Sequence, residues 1–357
     1  MQDLRIERST ELKPKPQDES KLGFGRIFTD HMFLMDYTSE KGWHDARIVP
    51  YGPLGLGPAA MCLHYGQSVF EGMKAYRGQD GKIRLFRPEK NMARINVSCD
   101  RICLPKVDEE FAQKCIEKLV EVDQEWVPHA DGTSLYIRPF IFGVDEHVGV
   151  HPSDHVLFVV ICSPVGAYYP TGLDPVRIYV ETNYVRSVKG GTGFTKAAAN
   201  YAMSLKAQDE AEKQNYSQVL WLDGIERKYI EEVGTMNVFF VFKDEIVTPS
   251  LQGSILSGIT RMSCIDILRS WGYTVNERQI SIDEVYEAYK KGELLEAFGS
   301  GTAAVISPIG ELKWGDEKMD INGGKIGDIS QKLYDEITGI QWGKIKDERD
   351  WTVIVNK

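Results

Sequence analysis

The chain opens on a polar stretch, "MQDLRIERSTELKPKPQDESK", and its first apolar segments come as short pieces. "RIFTDHMFLMDY" and "KIRLFRPEKNMARI" read as strand-rich sequence with turns, whereas "EEFAQKCIEKLVEVDQEWV" repeats its apolar residues at helical spacing. "SLYIRPFIFGV" and "HVLFVVICSPV" are nearly continuous apolar runs, the pattern of buried strands. Together these pieces predict a first domain of mixed α+β character.

"GAYYPTGLDP", residues 166–175, then places two glycines, two prolines and a tyrosine pair between strand signals, which is linker chemistry. Beyond it "VRIYVETNYV", "SQVLWLDG" and "NVFFVFKDEIVTP" predict strands, and a helix is expected from about Lys196 to Asn215. "TRMSCIDILRSWGY" and "SIDEVYEAYKKGEL" have helical periodicity, while "EAFGSGTAAVISPIGEL" breaks strand-like runs with a turn of small residues. No internal repeat is visible. The expected division is a small N-terminal domain over 1–168, a linker over 169–178 and a large C-terminal domain over 179–357.

Composition narrows the class. At 357 residues the chain exceeds what one core organises, and 42% hydrophobic with 26% charged residues fits a folded globular protein. The net charge of −10, spread without a basic stripe, argues against a nucleic-acid partner. No apolar stretch approaches the ~20 residues a bilayer span needs, and the N-terminus lacks an apolar signal core. A cytoplasmic protein away from membranes is expected. The cysteines show no CxxC pair and read as buried free thiols; Cys99 and Cys103, four apart on an expected helix, have no partner ligands nearby for a metal.

Several motifs mislead. "GLGPAA" at 55–60, "FGSGTAA" at 298–304 and "GGTGFTKAAANYA" at 190–202 look like nucleotide loops, but Pro58 disrupts the first and the second runs straight into "VISPI". The third has Thr195 before its lysine, where a P-loop needs glycine. "DEHVGVHPSDH" at 145–155 gathers three histidines, yet its spacing fits no standard metal set, and Gly149 and Pro152 make it a loop. No metal is expected.

The lysine of the third motif invites a chemical reading. An amine that attacks a carbonyl must spend part of its time neutral, and glycines before Lys196 with alanines after it leave room for a flat ligand. A helix start with an ordinary solvated lysine explains the segment as well when it stands alone. Elsewhere "YIEEVGTMN" sets Glu231 and Glu232 beside a Gly-Thr turn, and "ILSGITRMSCIDIL" starts a helix with backbone donors at Ile259 and Thr260, a favourable place for phosphate. "FRPEKNMARI" offers Arg94 on a helix as a forked phosphate partner. Taken singly, each has a bland reading as surface carboxylate, helix start or solvated cation.

Taken in order, "LHYGQSVFEGMKAYRG", "FTKAAANYA", "EEVGTMN", "SGITR" and "FGSGTAA" resemble the branched-chain amino acid aminotransferases, pyridoxal-phosphate enzymes of fold type IV. The match runs from about Leu22 to about Trp342. The resemblance implies a two-domain α+β fold like that of D-amino acid aminotransferase, with the active site between the domains. It implies pyridoxal 5'-phosphate as cofactor, held by Lys196 as an internal aldimine, with the freed amine carrying a proton between two carbons. Glu232 then holds the proton on the cofactor ring nitrogen, Glu231 is structural, and Tyr201 hydrogen-bonds the phenolate oxygen. Arg94, the amides of Ile259 and Thr260, and the Thr302 hydroxyl form the phosphate cup.

For the substrates, L-leucine, L-isoleucine or L-valine with 2-oxoglutarate, the resemblance implies a pocket lined by Phe24, Tyr65, Phe70, Tyr136, Val150 and Thr235. Tyr65 and Val150 would come from the partner subunit of a homodimer with shared active sites. Thr302 and Ala303 offer amides to the substrate carboxylate, and Arg138 meets a second carboxylate at the pocket edge, with Tyr168 closing over it. Without the resemblance these aromatics read as core. Two departures are visible: Ala198 and Ala199 replace glycines of some members, and "AVIS" stands where some eukaryotic members have CxxC, so that form of thiol control is not expected. The rival readings are another fold type IV enzyme, a D-amino acid aminotransferase or an aminodeoxychorismate lyase, and a cofactor-binding carrier without catalysis. "FEGMKAY" and "FGSGTA" fit the rival enzymes less well, and the matched residues show no loss that favours a carrier.

Overall fold

The structure, a computed structural model, describes residues 3–166 and 173–356. The chain divides into two compact units. The first holds Met1–Pro170, Thr195–Ala198 and Gly339–Lys357; the second holds Thr171–Phe194 and Ala199–Thr338. This differs from the expected division in two places. The short Lys196 segment belongs to the first unit, and so does the C-terminal tail, which makes the N-terminal unit the larger one. The tail returns because Thr352–Ile354 adds an edge strand, antiparallel to Ile83–Phe86 with Thr352 opposite Phe86. Trp351 packs edge-on against Phe86 beside it, ring centroids 5.7 Å apart. Of the linker expected over 169–178, residues 169–172 lie outside the described residues, as does Tyr168, and the strand Val176–Glu181 already begins within it.

Among the described residues, the first unit is built on a nine-stranded sheet in the order Arg5–Ile6, Gly42–Pro50, His31–Thr38, His155–Val165, Ser134–Gly143, Met73–Arg77, Ile83–Phe86 and Thr352–Ile354, with Ser68–Phe70 also pairing Ser134–Gly143. The two continuous apolar runs form its central antiparallel pair, buried as their composition required. "KIRLFRPEKNMARI" divides in two: a strand, Ile83–Phe86, and a helix, Pro88–Arg101. The stretch as a whole reads as strand-rich, but Arg94 and Cys99 are expected on a helix, and both lie on this one. Pro88 takes the first helical turn, where its missing N–H costs nothing, and the buried Met92, Ile95 and Cys99 recur at helical spacing. Cys103 lies past the end of this helix, off the element that carries Cys99. A second helix, Glu109–Val122, is capped by Asp108, whose side chain accepts from Phe111 N at 2.9 Å, worth about 1 kcal/mol.

The second unit carries another nine-stranded sheet among the described residues. Its order is Ile230–Val233, Gln218–Leu222, Val176–Glu181, Val305–Trp314, Leu294–Gly301, Asn237–Phe242, Ile246–Thr248 and Val275–Glu277, with Glu317–Asp320 paired to Val305–Trp314. Val176–Glu181 runs parallel to both of its neighbours, so the sheet is mixed. The helices Ile259–Ser270 and Ile282–Lys290 follow the expected periodicity, and Ala198–Lys213 falls within the helix expected from about Lys196 to Asn215. All six cysteines are free, and Cys99, Cys115, Cys162 and Cys264 are buried; burial pushes Cys99 and Cys115 up to about 12, which keeps them thiols. No helix among the described residues is long and apolar enough to cross a membrane.

Candidate active site

In the first unit the backbone of Lys196 is held from two sides. Its carbonyl accepts from Phe70 N at 3.0 Å, and Ala197 bridges to Val69, so the segment lies along the strand Ser68–Phe70. Its N–H donates to Ser98 Oγ at 3.0 Å, and Ser98 Oγ in turn donates to Arg94 O at 3.1 Å on the helix Pro88–Arg101. The half-buried Lys196 amine sits 5.0 Å from the Phe70 ring centroid.

Charge in this cluster centres on Glu71, which is fully buried. Its carboxylate accepts from Arg94 Nε at 2.7 Å, Arg94 Nη2 at 2.8 Å and Asn91 Nδ2 at 2.7 Å. Burial alone would raise its pKa, but the Arg94 guanidinium, helped by Lys196 and Asn91, outweighs it and holds the carboxyl below the usual carboxylate range.

Aromatic groups adjoin the charges. Phe24 meets Tyr136 edge-on at 4.9 Å, Arg138 Nη2 donates to Tyr136 Oη at 2.7 Å, and the Arg138 guanidinium lies 4.5 Å from the Phe70 centroid. Lys74 is opposite Tyr136 in the ladder and is buried, and burial pushes its amine down to about 8. The first unit therefore brings Phe24, Phe70, Tyr136, Arg138, Arg94 and Lys196 into one connected set.

The second unit assembles the carboxylates and the expected phosphate elements. On the strand Ile230–Val233, Glu232 Oε1 accepts from Leu256 N at 2.8 Å and Oε2 pairs with Arg186 Nε at 2.9 Å. Arg186 also donates to Ser254 O at 3.0 Å and Gly193 O at 3.2 Å. A side chain at Gly193 would put Cβ 2.3 Å from Ser254 O, so the last glycine of the Gly-rich turn is required by this close approach. Glu231 accepts from Ser254 Oγ; burial raises its carboxyl pKa, and its Oε2 has no hydrogen-bond partner among the described residues.

The helix Ile259–Ser270 begins after Gly258 with no side-chain cap, and a Cβ at Gly258 would lie 1.9 Å from Asn237 Oδ1. Asn237 Nδ2 donates to Leu256 O at 2.9 Å and Asn237 pairs with Ser300 in the sheet. Two and three residues past Ser300, Thr302 and Ala303 sit in the turn between Leu294–Gly301 and Val305–Trp314. Tyr201 is half-buried in the first turn of Ala198–Lys213, and Thr235 is exposed in the turn after Glu232.

Two expected pocket residues stand apart: Tyr65, 42% exposed, and Val150, 81% exposed. They lie on adjoining segments of the first unit, where Met61 N donates to Asp145 O at 3.0 Å and Ala60 bridges to Glu146. Tyr168 is outside the described residues. Sequence reasoning missed Glu71, Arg186 and Ser98. A lone acid inside "SVFEGM", between apolar residues, was the one signal available for Glu71.

An amine pinned beside a buried acid and an arginine, with an uncapped helix start and a cation-paired carboxylate on another set of strands, is the equipment of a pyridoxal-phosphate aminotransferase. Residues 68–312 match the family described as amino-transferase class IV, and the chain belongs to it. A narrower likeness covers its whole length. The chain is 58% identical to branched-chain-amino-acid aminotransferase 2 of Bacillus subtilis (strain 168) over 354 residues, 99% of this chain and 97% of that one. The solved branched-chain aminotransferase of Thermoproteus uzoniensis with norvaline matches with a TM-score of 0.76 at 26% identity, covering 91% of this chain and 100% of its own. The solved T.th. branched-chain amino acid aminotransferase with pyridoxamine 5'-phosphate matches with a TM-score of 0.76 at 25% identity, covering 91% and 98%.

Proposed function

We propose that the chain is a branched-chain amino acid aminotransferase, reversibly moving the amino group of L-leucine, L-isoleucine or L-valine to 2-oxoglutarate. The observation that carries the reading is the seat of Lys196. Its backbone is bonded to Phe70 and Ser98, and its amine lies 5.0 Å from the centre of the Phe70 ring, on which Arg138 also stacks.

The cofactor is pyridoxal 5'-phosphate, which when bound supplies an electron-withdrawing ring that allows the Cα–H bond of an amino acid to break. The residues present fit it. An uncapped helix start at Gly258, kept free of a Cβ by Asn237, suits a phosphate, and Glu232 paired to Arg186 suits a protonated ring nitrogen. Lys196 would hold the carbonyl carbon, Glu232 the ring nitrogen and Tyr201 the ring hydroxyl. Arg94, the amides of Ile259 and Thr260, and Thr302 would hold the phosphate.

In turnover Lys196 Nζ takes the substrate Cα proton, a task for which a half-buried amine beside the Phe70 ring is placed. Phe24, Phe70, Tyr136 and Thr235 receive the aliphatic side chain, and the Thr302 and Ala303 amides receive the substrate carboxylate. Arg138, stacked on Phe70 and bonded to Tyr136, receives the second carboxylate of 2-oxoglutarate or glutamate.

We further propose a homodimer in which Tyr65 and Val150 serve the other copy. Support comes from the apolar exposure of Leu63, Tyr65, Val148 and Val150 on adjoining segments. A cytoplasmic location is part of the reading and agrees with six free cysteines.

Borohydride reduction of the holoenzyme followed by peptide mapping tests the assignment. The reduced coenzyme is expected on the peptide containing Lys196, and Lys196→Ala is expected to fold but not to turn over L-leucine with 2-oxoglutarate. A label on another lysine, or substantial transamination by the variant, refutes it.

A further inference from the structure

We infer that Glu71 is a positioning residue for the coenzyme phosphate, acting through Arg94; this rests on the proposed function. A carboxylate with no exposure is an expensive way to fill space, since an apolar side chain of similar volume is commonly as stabilising as a buried ion pair. Its geometry supplies the reason to keep it.

Arg94 projects from a helix on a long stem with many rotamers, and the two bonds from Nε and Nη2 to the separate oxygens of Glu71 fix the plane of its guanidinium. Glu71 is itself fixed. Asn91, one turn before Arg94, donates to its Oε2 at 2.7 Å, and Gly72 N donates to the same oxygen at 3.2 Å. Arg94 is thereby set before any anion arrives, so a phosphate need not order it.

The same elements set the amine. Phe70, the residue before Glu71, bonds the Lys196 carbonyl, and Ser98, four residues after Arg94, accepts the Lys196 N–H. Residues 70 and 71 on one segment, and 94 and 98 on one helix, therefore fix the distance between the Lys196 backbone, from which the reactive amine extends, and the Arg94 guanidinium. A ligand that carries both an aldehyde and a phosphate is gauged by that distance. One that lacks the phosphate is not.

The test compares pyridoxal 5'-phosphate with pyridoxal, titrated by visible absorbance into coenzyme-stripped full-length wild type, Glu71→Gln and Glu71→Asp. Glu71→Gln is expected to weaken pyridoxal 5'-phosphate roughly tenfold or more, the loss of a charge-assisted pair, while pyridoxal binding changes much less. Glu71→Asp, which keeps the charge on a shorter stem, is expected to recover part of that loss.

Equal weakening of both ligands, no weakening of either, or an aspartate variant no better than the glutamine variant overturns the inference. If Glu71→Gln does not fold, Glu71→Asp alone must show a loss confined to the phosphorylated ligand, and an unselective loss overturns it. Wild type that binds no coenzyme at Lys196 overturns the functional reading as well; wild type that binds it while Glu71→Gln binds it equally tightly overturns this inference alone.

Discussion

Replacing Arg186 with methionine keeps an unbranched stem of similar reach and deletes the guanidinium that meets Glu232 Oε2 at 2.9 Å. The same change strips donors from the Ser254 and Gly193 carbonyls, at 3.0 and 3.2 Å. Solvent cannot take over, because Arg186 is 5% and Glu232 2% exposed. For an exposed pair the loss would be under about 1 kcal/mol, but removing one member of a buried pair costs about 3–5 kcal/mol, most of it the desolvated charge left behind. The buried figure applies here. It is a large share of a typical stability of roughly 5–15 kcal/mol. Urea unfolding of the coenzyme-free chain, followed by circular dichroism, should therefore show a midpoint far below that of wild type. Arg186→Lys, which restores a charge without the fork that reaches both carbonyls, should recover only part of it. A methionine variant within about 1 kcal/mol of wild type would mean that the pair is effectively solvated, and the account of how Glu232 is held would be refuted.

Gly258→Ala brings a methyl to 1.9 Å from Asn237 Oδ1, so Asn237 must give up its bond to Leu256 O; we expect a loss of about 1–3 kcal/mol and weaker coenzyme binding by absorbance titration. Unchanged affinity in a folded variant would count against a phosphate role for this helix start. Lys74, with its amine pushed down to about 8, binds its proton less tightly folded than unfolded. Stability from this residue is thus lowest below about 8 and rises with pH through that point towards 10.5, by about 3 kcal/mol in total. Lys74→Met abolishes that slope, so the difference in unfolding free energy between the two proteins should change as pH climbs from neutral to about 10; a constant difference would show that the amine is not desolvated.

Much of the fold could be read from local pattern, because "SLYIRPFIFGV" and "HVLFVVICSPV" are continuous apolar runs and "EEFAQKCIEKLVEV" repeats at helical spacing. The failures have a common physical origin in non-local pairing and adjacency. Thr352–Ile354 is three residues long and is a strand only because Ile83–Phe86 offers it an edge, which no periodicity at the C-terminus can reveal. In "KIRLFRPEKNMARI" a strand and a helix meet within two residues, and their opposing periods blur in any window that spans both.

The candidate site divides along the same line. Lys196, Glu232 and the residues around Ile259 stand in motifs, since their chemistry needs small or specific neighbours in the chain, and those neighbours leave a trace. The groups that hold them leave little: a lone acid inside "SVFEGM" for Glu71, and nothing local for Arg186. Glu71 meets Arg94 across 23 positions, and Leu256 meets Glu232 across 24. Such partners are matched by geometry in space, and the residues between them in sequence are indifferent to the match. A buried acid beside Arg94 and a buried arginine beside Glu232 each cost desolvation that an apolar pair would avoid. Both ion pairs adjoin a residue assigned to the coenzyme, one at its phosphate and one at its ring nitrogen. On the proposed function the energetic cost therefore falls where orientation of a charged group controls binding and proton affinity, which would make both counter-charges part of that site.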